Sequence, residues 1–125
     1  RNHSSAASDV YKRQFVAAVP VKNKDMYLAH AKKAAVVFME HGAVNLVETW
    51  GDDVPDGKLT SFPMAVQCQE DEVVVFSWIT WPSKEARNIG MQKVMEDERM
   101  KDSNNPMPFD GKRMIYGGFQ VILEA

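Results

Sequence analysis

VVVFSWITW, residues 73–81, is the stretch that decides the fold. β-Branched and aromatic side chains fill both parities of the run, so the pattern predicts a strand buried on its two faces. Pro82 ends it, and Ser83 offers an N-cap to a helix running to about Glu98. Upstream, FVAAVP (15–20) reads as a short buried strand closed by proline. Asn23 then stands where a helix N-cap would, with Asp25 in the first turn, and Tyr27, Ala31, Ala34, Ala35 and Phe38 recur at helical spacing. Gly42 follows His41 as a stop signal.

AVNLVETW (43–50) reads as a second strand, with Val44, Leu46, Glu48 and Trp50 on one face. DDVPDGK (52–58) is turn chemistry, because Pro55 presets φ and Gly57 tolerates a positive value. A short edge strand is expected over 64–67. KRMIYGGFQVIL (112–123) is expected to form the last strand, its glycine pair marking a bulge or a close backbone approach. The order strand, helix, two strands, helix, strand is the split βαβ arrangement. The expected fold is therefore α+β, ferredoxin-like βαββαβ, with a four-stranded antiparallel sheet and both helices on one face. The doubly apolar central strand then needs a cover for the other face. Two such sheets packing together supply it, which predicts a homodimer closed as a dimeric α/β barrel.

The 125 residues fit a single domain. Residues 1–14, RNHSSAASDVYKRQ, are polar and Ser/Ala-rich with no apolar period, and read as a non-native or disordered extension. Residues 15–125 make the domain, with Tyr11–Gln14 standing where a first strand would begin. No apolar centre of a signal peptide is present in that stretch. The formal net charge is -2, from 15 basic and 17 acidic residues. Nucleic-acid binders usually carry a basic excess or stripe, and neither is visible. No apolar run is long enough to cross a bilayer. Neither a nucleic-acid nor a membrane partner is expected, and with Cys68 the only cysteine a cytoplasmic home is the default.

The chemistry-bearing residues are few. His30 and His41 are about 16 Å apart along one helix and cannot share a metal, and His3 lies in the extension. Each histidine reads as a surface or helix-end group, and neither metal nor cofactor is expected. Glu48 beside Trp50 is a candidate general base if desolvated, against a structural reading in which it pairs with a basic side chain. Asp52 and Asp53 read as turn residues. Arg113 is a candidate anion hook and Tyr116 a candidate hydrogen-bond donor, against a salt bridge from Arg113 to Glu48 or to a partner subunit. Trp50, Trp78, Lys112, Met114 and Phe119 are candidates to line a ligand pocket, although core or dimer packing accounts for them equally well. Phe76, Trp81 and Phe109 share that ambiguity. Acidic neighbours would raise the Cys68 thiol pKa, which argues against a nucleophile.

Several stretches together carry a resemblance: DDVPDGKLTSFPMAV (52–66), VVFSWI (74–79), WPSKEAR (81–87), VMEDERMK (94–101) and MPFDGKRMIYGGF (107–119). They resemble the YbaA-like bacterial proteins, the family of domain of unknown function 1428, from about Phe15 to the C-terminus. The resemblance implies a ferredoxin-like fold of the dimeric α+β barrel group and no established activity. The expected role is a dimeric small-molecule-binding domain. The alternatives are a cofactor-independent monooxygenase- or isomerase-like enzyme using Glu48, Arg113 and Tyr116, and a structural or partner-binding dimer without catalysis.

Overall fold

A computed structural model describes residues 10–125. Strand β1 (Tyr11–Pro20) runs through a 3-10 turn into helix α1 (Lys24–Glu40). Strand β2 (Asn45–Trp50), the one-turn helix α2 (Phe62–Ala65), strand β3 (Glu72–Trp81), helix α3 (Lys84–Glu96) and strand β4 (Ile115–Gln120) follow. The four strands form one open antiparallel sheet in the order β2-β3-β1-β4.

β3 lies at the heart of the sheet, and its two parities separate cleanly. Ile79 and Trp81 pack on Ala34, Val37 and Phe38 of α1 and Val94 of α3, while Val75 joins Ala17, Val19 and Tyr27. Val74, on the other face, packs with Val16, Ala18 and Val66, next to Phe76. Helices α1 and α3 therefore cover one face, and the α2 segment covers one end of the other. Beyond that end no described segment covers the second face. Phe62, Phe76 and Trp78 form a ladder of tilted rings with centroids 5.8 and 5.9 Å apart. Phe62, Ile115 and Phe119 around it are 50%, 45% and 54% exposed.

Several local expectations change. β1 begins at Tyr11 rather than Phe15, since Tyr11–Gln14 pair with both β3 and β4. The expected edge strand at 64–67 is instead the turn of α2, because Ser61 accepts a hydrogen bond from Met64 N and Pro63 fits a first helical turn. Asn23 gives no side-chain cap to α1; its amide donates to Pro108 O at 2.9 Å. Ser83 caps α3 as its position predicts. The last strand is shorter than expected: residues 111–113 form a 3-10 turn capped by Asp110, and the strand runs only from Ile115 to Gln120. Gly117 and Gly118 make no bulge, since Gln14↔Gly117 and Arg13↔Gly118 continue the register. They mark a close approach, where a Cβ on Gly118 would sit 2.6 Å from the Tyr11 ring. Residues 1–9 of the expected extension, His3 included, lie outside the described residues.

Candidate functional site

The helix-facing parity of β2 carries Leu46, Glu48 and Trp50, as read from the alternation. Glu48 sits opposite Ser77 on β3 and beneath α1. Its carboxyl accepts a short hydrogen bond from the Tyr27 hydroxyl. Burial pushes the Glu48 pKa up, and the Tyr27 bond only partly offsets it. The Tyr27 phenol is pushed up as well, by burial first and by the facing carboxyl second. Among the described residues no lysine, arginine or histidine forms an ion pair with Glu48. The expected salt bridge from a basic side chain is replaced by a phenol.

Aromatic rings surround this pair. Tyr27 stands 6.4 Å from Trp50 and 5.8 Å from Phe109, tilted to both by 55° and 59°. The Lys24 ammonium lies over the Trp50 ring, 5.2 Å from its centroid. Met114 packs on the same cluster. The loop that brings in Phe109 is tied to α1 at three points. Asn23 bonds Pro108 O, the buried Asn105 amide donates to His30 O, and His30 Nδ1 meets Asn105 Oδ1 at 3.0 Å. His30 is thus a tether within the fold, and burial pulls its pKa down. His41 likewise contacts Asp97 at 3.0 Å, joining the end of α1 to the segment after α3.

The other candidates go elsewhere. Arg113 clasps Glu72 with two bonds of 2.8 and 2.7 Å, reaches Asp110 at 3.0 Å and donates to Gln67 O at 2.7 Å. Its salt bridge exists, but the partner is Glu72, not Glu48. The guanidinium holds both carboxyls below their usual range. Tyr116 is 61% exposed, with the Arg13 guanidinium over its ring. Of the pocket candidates, Trp50 and Met114 join the Glu48 cluster, whereas Trp78 and Phe119 lie on the bare face and Lys112 is exposed. Tyr27 read as core in the sequence, and Lys24 and Asn105 carried no signal of a site. The crossing of α1 over β2 brings Tyr27 to Glu48 and Lys24 to Trp50, while Asn105 ties the later loop to His30.

A groove of about 430 Å³ opens where β2 ends and β3 begins, one residue beyond Trp50, lined by Asp52, Val54, Cys68, Glu70, Glu72 and Val73 among others. Burial and then Glu72 raise the Cys68 thiol pKa, so the thiol is a poor nucleophile. No group of three or more metal-ligating side chains converges among the described residues. Likewise, no described helix is long and apolar enough to cross a membrane.

Residues 10–111 match the family model described as protein of unknown function (DUF1428). The chain belongs to the DUF1428 family. Relatives described as uncharacterized protein YbaA, from Escherichia coli K12 and from Shigella flexneri, are 58% identical over 110 residues. Those alignments span 88% of this chain and 94% of each relative. The DUF1428 match includes both halves of the Glu48 cluster, the α1–β2 unit and the loop through Phe109.

Proposed function

We propose that this protein is a small-molecule-binding domain acting as a homodimer, with its ligand site at Glu48. The observation that carries the reading is a half-buried carboxyl with no cationic partner among the described residues, hydrogen-bonded by one phenol whose ring packs on Trp50 and Phe109. A desolvated polar group in an apolar, aromatic setting is what a ligand site offers for orientation and specificity. An enzyme built from Glu48, Arg113 and Tyr116 draws less support. Arg113 is committed to Glu72 and Asp110, and Tyr116 faces solvent.

The strand order, with α1 and α3 on one face, supports a ferredoxin-like subunit. The bare face with Phe76, Trp78, Ile115 and Phe119 supports association of two subunits through their sheets, since an apolar patch of this kind marks an interaction site. A single free thiol fits a reducing, cytoplasmic compartment.

Native mass spectrometry of the full chain, purified without added ligand, tests both parts. The reading expects a dimer carrying an adduct that Glu48→Gln removes, and Trp78→Lys should shift the dimer to monomer. A wild-type monomer would sink the dimer, and a mass spectrum without adducts would remove support for the ligand site.

A further inference from the structure

Where β1 meets β4, two arginines share one patch without an acid. Arg13 stands on the helix-facing parity of β1, opposite Ile79, and Arg87 lies one turn into α3. We propose that Arg13 and Arg87, together with Tyr11, form an anion site that takes a phosphate group. This site is separate from Glu48, which belongs to β2 at the opposite edge of the sheet.

The backbone brings the groups together. Gly118 pairs with Arg13 across the β1–β4 ladder, and the Tyr11 ring leans over it, so that a Cβ there would sit 2.6 Å from the Tyr11 hydroxyl oxygen. Arg87 closes on the same ring, its guanidinium carbon 4.9 Å from the centroid. The Arg13 guanidinium also lies over Tyr116, 4.7 Å from that centroid, at a position 61% exposed.

Charge is the observation that points to a ligand. Arg99 is settled by Asp97 and Glu40, and Arg113 by Glu72 and Asp110. Arg13 and Arg87 have no carboxylate partner among the described residues, although the chain has 17 acidic residues to offer. Burial, and then the Arg87 charge, pull the Arg13 pKa down. Two partly desolvated cations held together are unfavourable until an anion joins them. Only the Nε atoms are sealed from solvent without an acceptor, which leaves the outer nitrogens of each fork open to a ligand. Guanidinium forks match phosphate oxygens, and a phosphate monoester near neutral pH carries about 1.5 to 2 negative charges, against one on a carboxylate. Packing of arginine stems on tyrosines accounts for each ring contact singly, but not for two cations in one place with no acid.

The test titrates phenyl phosphate, inorganic phosphate and benzoate into the full chain by calorimetry, at fixed ionic strength so that screening is equal throughout. Phenyl phosphate should bind saturably and about tenfold more tightly than benzoate. Inorganic phosphate binding equally well would make the free ion a sufficient ligand, and weaker binding would assign the site to an ester. Arg13→Gln and Arg87→Gln should each weaken phenyl phosphate about tenfold, and Arg13→Glu should abolish binding. Arg13→Lys, which keeps the charge and loses the fork, should fall between wild type and Arg13→Gln. Lys93→Gln, which removes an exposed charge from the same helix, should change nothing. Circular dichroism shows which variants keep the wild-type fold. Benzoate as tight as phenyl phosphate, an equal loss in Lys93→Gln, a loss confined to one arginine, or no saturable phosphate binding by the wild-type chain would each overturn the proposal.

Discussion

Gly90 lies in the middle of α3, where alanine is ordinarily the better residue, and the structure predicts the opposite. Relief of glycine's backbone entropy should favour Gly90→Ala by about 1 kcal/mol in an exposed helix. Here a Cβ would lie 2.2 Å from Trp81 Cζ3, 2.5 Å from Trp81 Cη2 and 2.7 Å from the His41 carbonyl oxygen. Carbon–carbon contacts settle near 3.5–4.0 Å, so the helix or the indole must move by more than an ångström. Neither has room. Trp81 is fully buried, its ring packs edge-on to Phe38 at 6.3 Å, and the His41 carbonyl belongs to the end of α1. Overpacking of this kind costs typically ~1–3 kcal/mol and occasionally more, and this site belongs at the upper end.

Set against the helix gain, the net expectation is a loss of about 2 kcal/mol, or roughly 6–12 °C in Tm for a chain of this size. Urea unfolding followed by circular dichroism measures it, with the exposed Asn88→Ala in the same helix as a control that should be neutral or mildly stabilising. Adding Trp81→Phe to Gly90→Ala should recover part of the loss relative to Trp81→Phe alone, because the smaller ring vacates the contested space. A Gly90→Ala protein as stable as wild type, or additive with Trp81→Phe, would refute the close packing of α3 on the indole.

Tyr27→Phe keeps the ring contacts but leaves the Glu48 carboxyl without its donor, and should cost about 1–3 kcal/mol in urea unfolding. Glu48→Gln should act in the opposite direction at neutral pH. Burial raises the folded-state pKa of Glu48 above its ordinary 4.5, so between those values the folded chain binds more protons than the unfolded one and wild-type stability falls as pH rises. The advantage of Glu48→Gln, about 1 kcal/mol, should appear above that window and vanish below pH ~4; stability curves at several pH values would show a constant difference if Glu48 were not desolvated. Arg13 and Arg87 each have a buried Nε with no acceptor among the described residues, and burial first and the nearby Arg87 charge second pull the Arg13 pKa down. Arg13→Glu should therefore raise Tm, by about 1 kcal/mol of stability if the new carboxylate reaches Arg87, and a lower Tm would contradict that geometry.

How far the fold could be read in advance depended on whether local rules and tertiary demands agreed. They agreed in β3, where apolar residues on both parities require two covers, and in α1, where Tyr27, Ala31, Ala34 and Phe38 are buried as their spacing indicates. They disagreed in β1. Tyr11–Gln14 is polar enough to read as an extension, yet the sheet recruits it because β3 and β4 both offer unpaired backbone there. The price shows in Arg13 and Arg87, whose buried Nε atoms find no acceptor among the described residues. At α2 the signal was present and outweighed: Ser61 with Pro63 is a helix start, but Met64–Val66 also suits a strand.

The candidate site divides along the same line. Alternation in β2 was enough to put Glu48 beside Trp50, because both belong to one strand and the period is local. The partners of each charged group were not legible, because they come from distant segments. Arg113 and Glu72 are 41 positions apart, and Tyr27 and Glu48 are 21 apart across a helix–sheet crossing. Sequence supplies the inventory of charges, and topology decides which of them cancel. That distinction is why Arg113 and Glu48, equally plausible as functional groups when read along the chain, part company in three dimensions. Arg113 is bound on every side by Glu72, Asp110 and a backbone carbonyl, so no ligand is needed to account for its position. Glu48 meets the Tyr27 phenol and, among the described residues, no cation, so its charge is left to burial and a single donor.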